Sequence, residues 1–356
     1  MRASYFTWFD EERTPEPEPW DVERGGGPLA NGEYLAAVFR HVEELLVARG
    51  PRVAADLARL KVVATPNHSE LPMSGPDVVA LLVLDNWSRT PYWSDDVGLV
   101  LATNRGRRWR ESLTMLPRPL GVLDVVDEAR VRAERALWAR GGSRPAHPRV
   151  VSVPLGYAHQ VEQPLVPWED RDLDVFFAGS TSHALGRGGP VRRALRSSVG
   201  NVKTMHRERM MAAVEDLRRR RPDLVVAVDV VDGAAVADRA DSYSERLARS
   251  RFALDPRGTS RETYRYYECV RSGSIPVVTS LPRDGLYAGA PALRLRHWSD
   301  LPRALDHFRA RPEEARQLHE ECLAWYRDVG SPEATARRLA PLVEATLRSP
   351  DGGAGA

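Results

Sequence analysis

The chain has 356 residues, 42% of them hydrophobic, which is enough for two α/β domains with separate cores. Its 51 basic and 49 acidic residues leave a formal net charge of +2, so no global charge favours nucleic acid or an acidic membrane as partner. Two cysteines, Cys269 and Cys322, exclude a disulfide framework and a Cys-based metal site; both fall in predicted helices as buried thiols.

The first residues, MRASYFTWFDEE, hold too short an apolar run for a secretory signal. The longest apolar stretch, Val78 to Leu84, is far below a membrane span, so a cytoplasmic, bacterial-type protein is expected. Strands are predicted at Ser4 to Phe9, Val62 to Thr65, Val78 to Leu84, Val97 to Ala102 and Val150 to Val153. Helical spacing covers Asn31 to Ala48, Arg107 to Leu116 and Val126 to Arg140. Such alternation implies a mainly parallel sheet covered by helices. Gly25 to Gly27 reads as a surface loop.

Residues His159 to Arg171 lack periodicity and carry two prolines, which marks an interdomain linker. Asp174 to Ala178 then opens a second strand–helix series, with a donor-rich turn from Gly179 to His183 and a helix start near Pro190. A helix over 204–220, a strand at Leu224 to Val228 and a helix over 242–249 follow. Leu293 to Leu295 reads as a strand, and helices are expected from Trp298, from Pro312 to Tyr326 and from Pro332 to Leu347. Ser349 to Ala356 reads as a frayed tail. The predicted divisions are 1–160, 161–310, a helical segment 311–348 and the tail.

The densest signal is Ser250 to Ser280, SRFALDPRGTSRETYRYYECVRSGSIPVVTS. Phe252 to Leu254 is a strand ending at Asp255-Pro256, and Gly258 opens a turn. Thr259 and Glu262 form an S/T-x-x-E box that places a helix from Ser260 to Ser272. Gly273 fits a left-handed cap, and Ile275 to Val278 a second strand. On such a helix Arg261, Arg265 and Glu268 share one face. A helix start with Arg265 suits a diphosphate, and Glu268 could accept hydrogen bonds from ribose hydroxyls. The plainer alternative is an exposed i,i+3 ion pair of little energetic consequence.

Leu254-x-Pro256-x-Gly258, then Thr263-Tyr-Arg265-x-x-Glu268, then Gly273-Ser274-Ile275-Pro276-Val277 resembles the signature of exostosin-type glycosyltransferases, with Thr263 for a Ser and Ser274 for a Cys. The strong match covers about thirty residues and concerns the donor half. The resemblance implies the GT-B fold: two Rossmann-like α/β domains facing a cleft, with C-terminal helices packing back on the N-terminal domain. Leu155-Gly156-Tyr157 resembles the last strand of that group's N-terminal domain.

In doubly wound sheets ligands bind beyond the carboxyl ends of the strands. The donor-nucleotide candidates are therefore Gly179, Ser180, Thr181, Arg187, Arg257, Gly258, Thr259, Arg265 and Glu268. Lysine occurs only at Lys61 and Lys203, so arginine supplies the other 49 basic residues and each Arg is as readily a solvated surface residue. Asp85 ranks first and His68 second as catalytic base, with Asp10 also following a strand; a polar loop or a turn former is the plainer reading of each. Trp87 and Trp93 are candidates to stack on the acceptor, or to close the core edge. Asp172-x-Asp174 precedes its strand and is not read as a metal site, so no metal and no cofactor beyond a nucleotide-sugar co-substrate is expected. The expectation is an inverting, metal-independent transfer, with a UDP-sugar ahead of a GDP-sugar, to a glycan, natural-product or peptide acceptor. The alternatives are a GT-B nucleotide-sugar epimerase or hydrolase, and a catalytically silent binding or assembly partner.

Overall fold

The computed structural model describes residues 2–9, 16–25, 29–67, 70–83, 91, 93–103, 150–158, 160–180, 190–230, 240–258, 260–282 and 285–348. The described strands are β1 Ser4–Thr7, β2 Glu18–Pro19, β3 Lys61–Thr65, β4 Gly75–Leu82, β5 Val97–Ala102, β6 Val150–Ser152, β7 Leu173–Gly179, β8 Val226–Val230, β9 Ser250–Leu254, β10 Ile275–Val278 and β11 Leu293–Arg294. The α-helices are α1 Gly32–Val47, α2 Pro51–Leu57, α3 Pro190–Arg220, α4 Ala240–Ala248, α5 Tyr264–Arg271, α6 Leu301–Ala310, α7 Pro312–Trp325 and α8 Pro332–Arg348. The expected helices over 107–116 and 126–140, and the tail, lie outside the described residues. Among the described residues no helix is long and apolar enough to cross a membrane.

The described residues form two compact units, one from residues up to 158 together with those from 329 onward, the other from 160 to 328. In the first, six strands lie in the order β2-β1-β3-β4-β5-β6, parallel except for β2 against β1. Residues 62–65 of β3 and all of β5 are buried, as expected of strands covered on both faces of a parallel sheet. The core joins Leu35, Phe39 and Leu46 of α1 to Val79 and Leu81 of β4 and to Leu339 and Val343 of α8. Helix α8 thus belongs to this unit and packs on α1, where the Tyr34 hydroxyl bonds the Thr335 hydroxyl at 2.9 Å. Helix α7, expected to pack back with it, instead lies in the second unit against α5 and β10.

The second unit is an all-parallel sheet in the order β11-β10-β9-β7-β8. Counted along the chain this is the doubly wound order 2-1-3-4-5, whose connections reverse direction between its first and third strands, here β7 and β9. The expected helices near Pro190 and over 204–220 are one continuous helix of 31 residues. Proline at the first position starts it, and no residue after Pro190 breaks it.

The predicted linker is not a loose tether at its far end. Arg171 is buried and its guanidinium donates to three carbonyls: Val166 at 3.1 Å, Ser250 at 2.7 Å and Ser272 at 2.6 Å. It joins the residues before β7, the first residue of β9 and the end of α5. Burial lowers its pKa to about 10, which still leaves it charged at neutral pH. Arg171→Met strips three carbonyls, two of them in buried contacts, of their donor and is expected to lower unfolding stability by roughly 2–4 kcal/mol. Urea unfolding checks this; an unchanged midpoint would show that Arg171 is not a structural tie.

Candidate functional site

The point where the connections reverse places the ends of β7 and β9 side by side, the position at which doubly wound sheets bind ligands. Gly179 closes β7 with φ 152°, and a Cβ there would stand 2.9 Å from the Arg265 guanidinium. That open side lets Arg265 reach across from α5 to donate to the Ala178 carbonyl. Its guanidinium also lies 4.9 Å from the centroid of the Phe177 ring. The site therefore begins as a contact between one strand end and the next helix.

Helix α5 starts one turn later than the 259/262 box predicts. Thr263 is its N-cap: backbone φ −131° and ψ 148° are extended, and the hydroxyl oxygen accepts from the Tyr266 N–H at 3.2 Å. The same hydroxyl donates to the Asp255 carboxylate, at 2.8 Å and 2.9 Å from its two oxygens. Asp255 is held in turn by its own N–H to the Val277 carbonyl at 2.9 Å. A cap anchored in the sheet outweighs a local one in a loop. Glu262 is drawn away instead, accepting from the Tyr267 hydroxyl at 2.9 Å. Arg261 consequently lies in the loop and not on the face of Arg265 and Glu268. Gly273, with φ 70°, closes the helix as expected.

Arg265 and Glu268 are not the exposed ion pair of the plainer reading. Arg265 is half-buried and Glu268 buried, and each is bound elsewhere. Glu268 Oε2 accepts from the Tyr243 hydroxyl of α4 at 2.6 Å. Its backbone carbonyl accepts from the Gln160 amide at 3.3 Å, and that amide also donates to the Ser272 hydroxyl at 2.6 Å.

Two further cations come from α3, one helical turn apart. Arg207 is buried and donates to the Ser180 carbonyl just past β7; half-buried Lys203 lies within electrostatic reach of both Arg207 and Arg265. Burial, then repulsion by Arg265, lowers the Arg207 guanidinium to about 10. Burial, then Arg207 and Arg265, lowers Lys203 as well. Burial alone would pull Arg265 down, but the carboxylates of Asp255 and Glu268 help to push it up. Among the described residues no carboxylate forms an ion pair with Lys203, Arg207 or Arg265. Three mutually repelling cations at one site are arranged for an anion.

Of the predicted donor residues, Gly179, Ser180, Arg257, Gly258, Arg265 and Glu268 lie on the two strand ends and α5, and Arg257 is buried, not a solvated surface residue. Thr181, Arg187 and Thr259 lie outside the described residues, as do Asp85, His68, Trp87 and Asp10. Trp93 is corrected: it is buried among Val63, Val78 and Leu82, and its indole N–H donates to the Asn67 carbonyl at 3.2 Å, so core packing occupies its faces. Asp172 and Asp174 pair with Arg249 and Arg251. Lys203, Arg207, Tyr243 and Asp255 were not among the predicted residues. The available signal was a rare lysine four residues before an arginine.

Residues 195–332 match the model of the family described as RXYLT1 C-terminal domain. That range contains Lys203, Arg207, Tyr243, Asp255, Arg265 and Glu268. Ribitol-5-phosphate xylosyltransferase 1 of Danio rerio is 29% identical over 138 residues, covering 35% of this chain and about a third, 32%, of that protein. Similar solved structures include the pneumococcal O-GlcNAc transferase GtfA in complex with UDP and GlcNAc, at 12% identity, with 89% of this chain and 61% of that chain covered and a TM-score of 0.41. Sucrose-phosphate synthase from Thermosynechococcus elongatus, at 13% identity, covers 88% and 94% with a TM-score of 0.40. At those scores the two structures carry no argument; the strand orders above define the fold. The site-bearing stretch is thus similar to part of a glycosyltransferase, while the exostosin resemblance rests on the motif residues.

Burial pushes the Asp255 carboxyl up to about 6, against Arg265 and the Thr263 hydroxyl, which favour its charged form. The folded value lies above the ordinary 3.8, so the native chain binds the extra proton between about pH 4 and pH 6. That contribution is fully present below pH 4 and is lost as pH rises through 6. Asp255→Asn removes the dependence, so the stability of the unsubstituted chain relative to the variant should fall by on the order of 3 kcal/mol from pH 4 to pH 7. Urea titrations at the two pH values measure it; a difference that does not change with pH contradicts the assignment.

Proposed function

We propose that this chain is a glycosyltransferase that takes a sugar from a nucleoside diphosphate donor, a UDP-sugar first, and passes it with inversion to a glycan, natural-product or peptide hydroxyl. The observation that carries the reading is the trio Lys203, Arg207 and Arg265, gathered where the sheet connections reverse and, among the described residues, without an ion-paired carboxylate. The similarity of residues 195–332 to the RXYLT1 C-terminal domain supports it.

In this reading the three cations and the first N–H groups of α5 hold the donor's diphosphate. As the bond from the sugar to phosphate breaks, charge grows on the departing diphosphate, and fixed donors already aimed at it stabilise that charge without reorganising. Charge compensation is assigned to these side chains and not to a metal. Glu268 accepts from the ribose hydroxyls. The proton of the incoming hydroxyl is assigned to Asp85, with His68 second.

Thermal-shift titration with UDP, GDP and CDP, followed by calorimetry, tests the donor site. UDP is expected to raise the midpoint most, since a ligand at about 100 times its Kd adds about 2.7 kcal/mol to the folded state. Lys203→Ala, Arg207→Ala and Arg265→Ala should each weaken UDP binding at least about ten-fold, the worth of a charge-assisted hydrogen bond. Unaltered affinity in all three variants would sink the site assignment.

A further inference from the structure

Arg265 and Glu268 have opposite charges and are separated by one helical turn, a spacing at which such side chains ordinarily close on each other. In this chain they do not. The Arg265 guanidinium is turned to the Ala178 carbonyl and the face of Phe177, and the Glu268 carboxylate is turned to the Tyr243 hydroxyl at 2.6 Å. Tyr243 projects from α4, a different helix, and is buried among Phe176, Ala178, Leu247, Ala253 and Cys269. Its ring leans on Phe176 with centroids 5.9 Å apart. A phenol held so firmly by apolar contacts has one polar group to satisfy, and it satisfies it on Glu268.

We propose that Tyr243 is a positioning residue whose hydroxyl holds the Glu268 carboxylate away from Arg265, so that the guanidinium serves the phosphates and the carboxylate serves the ribose diol. This rests on the nucleotide reading above. Tyr243 reacts with nothing; it acts through Glu268. Burial and then the Glu268 charge raise its pKa well above the ordinary tyrosine value, so it remains a donor throughout the working pH range. Without the hydroxyl, Glu268 closes on Arg265 across a single turn, and each neutralises what the other would offer a ligand.

The test is calorimetry on the full chain with UDP, 2′-deoxy-UDP and inorganic pyrophosphate, comparing Tyr243→Phe, Glu268→Gln and the double variant. Tyr243→Phe keeps the ring. It should weaken UDP about five-fold, the worth of one hydrogen bond. It should also weaken pyrophosphate and bring the UDP to 2′-deoxy-UDP preference towards one. In the Glu268→Gln background, where no carboxylate is left to swing onto Arg265, adding Tyr243→Phe should change none of the three affinities. Equal losses in both backgrounds would mean a packing role only and overturn the proposal, as would Tyr243→Phe behaving like the unsubstituted chain. Unsubstituted protein that binds UDP and 2′-deoxy-UDP equally overturns it while leaving the nucleotide reading intact. Unsubstituted protein that binds neither UDP nor pyrophosphate overturns that reading, and this inference with it.

Discussion

The contact on which the second unit depends is that of Arg265 with the Ala178 carbonyl, made over a residue with no side chain, Gly179. It joins the end of the first strand of the sheet to the helix that follows the third. Both ends of that helix are fixed separately. At its start Thr263 is bonded to Asp255 at the end of β9, and at its finish Arg171 and Gln160 bind the carbonyl and hydroxyl of Ser272. A helix of eight residues is too short to be stable by propensity, so these tertiary ties set its position. Whatever Arg265 and Glu268 present to a ligand is presented from a fixed frame.

That rigidity explains how mutually repelling cations coexist. Bringing Lys203, Arg207 and Arg265 together costs repulsion and desolvation, which the lowered pKa of Lys203 and Arg207 registers. The cost is offset by a carbonyl under each arginine, by the Phe177 ring and by the more distant charge of Asp255. None of these closes an ion pair. A bound diphosphate would meet donors already ordered and, among the described residues, need displace no carboxylate paired with these three cations, so little of its binding energy is consumed in rearrangement.

Much of the second unit was legible in the sequence because its elements are punctuated locally. Gly273 and the Ile275 to Val278 run marked a helix end and a strand, and both stand as read, as does β5 in the first unit. The helix starts a turn later than the Thr259/Glu262 box predicts because Thr263, which has no such box, is anchored to Asp255 just past β9, a contact that local spacing does not show. Pro190 marks a helix start in the sequence, but the length of α3 is not legible there, since its polar sequence shows little periodicity. Arg207 and Tyr243 are invisible to spacing rules for one reason: each reaches a partner distant in sequence, Ser180 and Glu268, and Lys203 gains its place only beside them. The candidates of the first unit, Asp85, His68 and Trp87, fall outside the described residues, while Trp93 was an aromatic whose two possible fates only burial separates.

A formal net charge of +2 conceals how the charges are sorted. At the start of the second sheet, Asp172 and Asp174 face Arg249 and Arg251, four groups that cancel in pairs where the strands begin. At the other end of the same strands Arg207 and Arg265 lean on carbonyls and an aromatic ring, and hydroxyls bind two carboxylates, Thr263 that of Asp255 and Tyr243 that of Glu268. A neutral hydroxyl stabilises a carboxylate without cancelling the charge of a nearby cation. Replacing either hydroxyl partner by an arginine would leave the composition almost unchanged and still abolish the field of the site. Composition counts these groups without showing which of them meet, and that is why it does not locate the site.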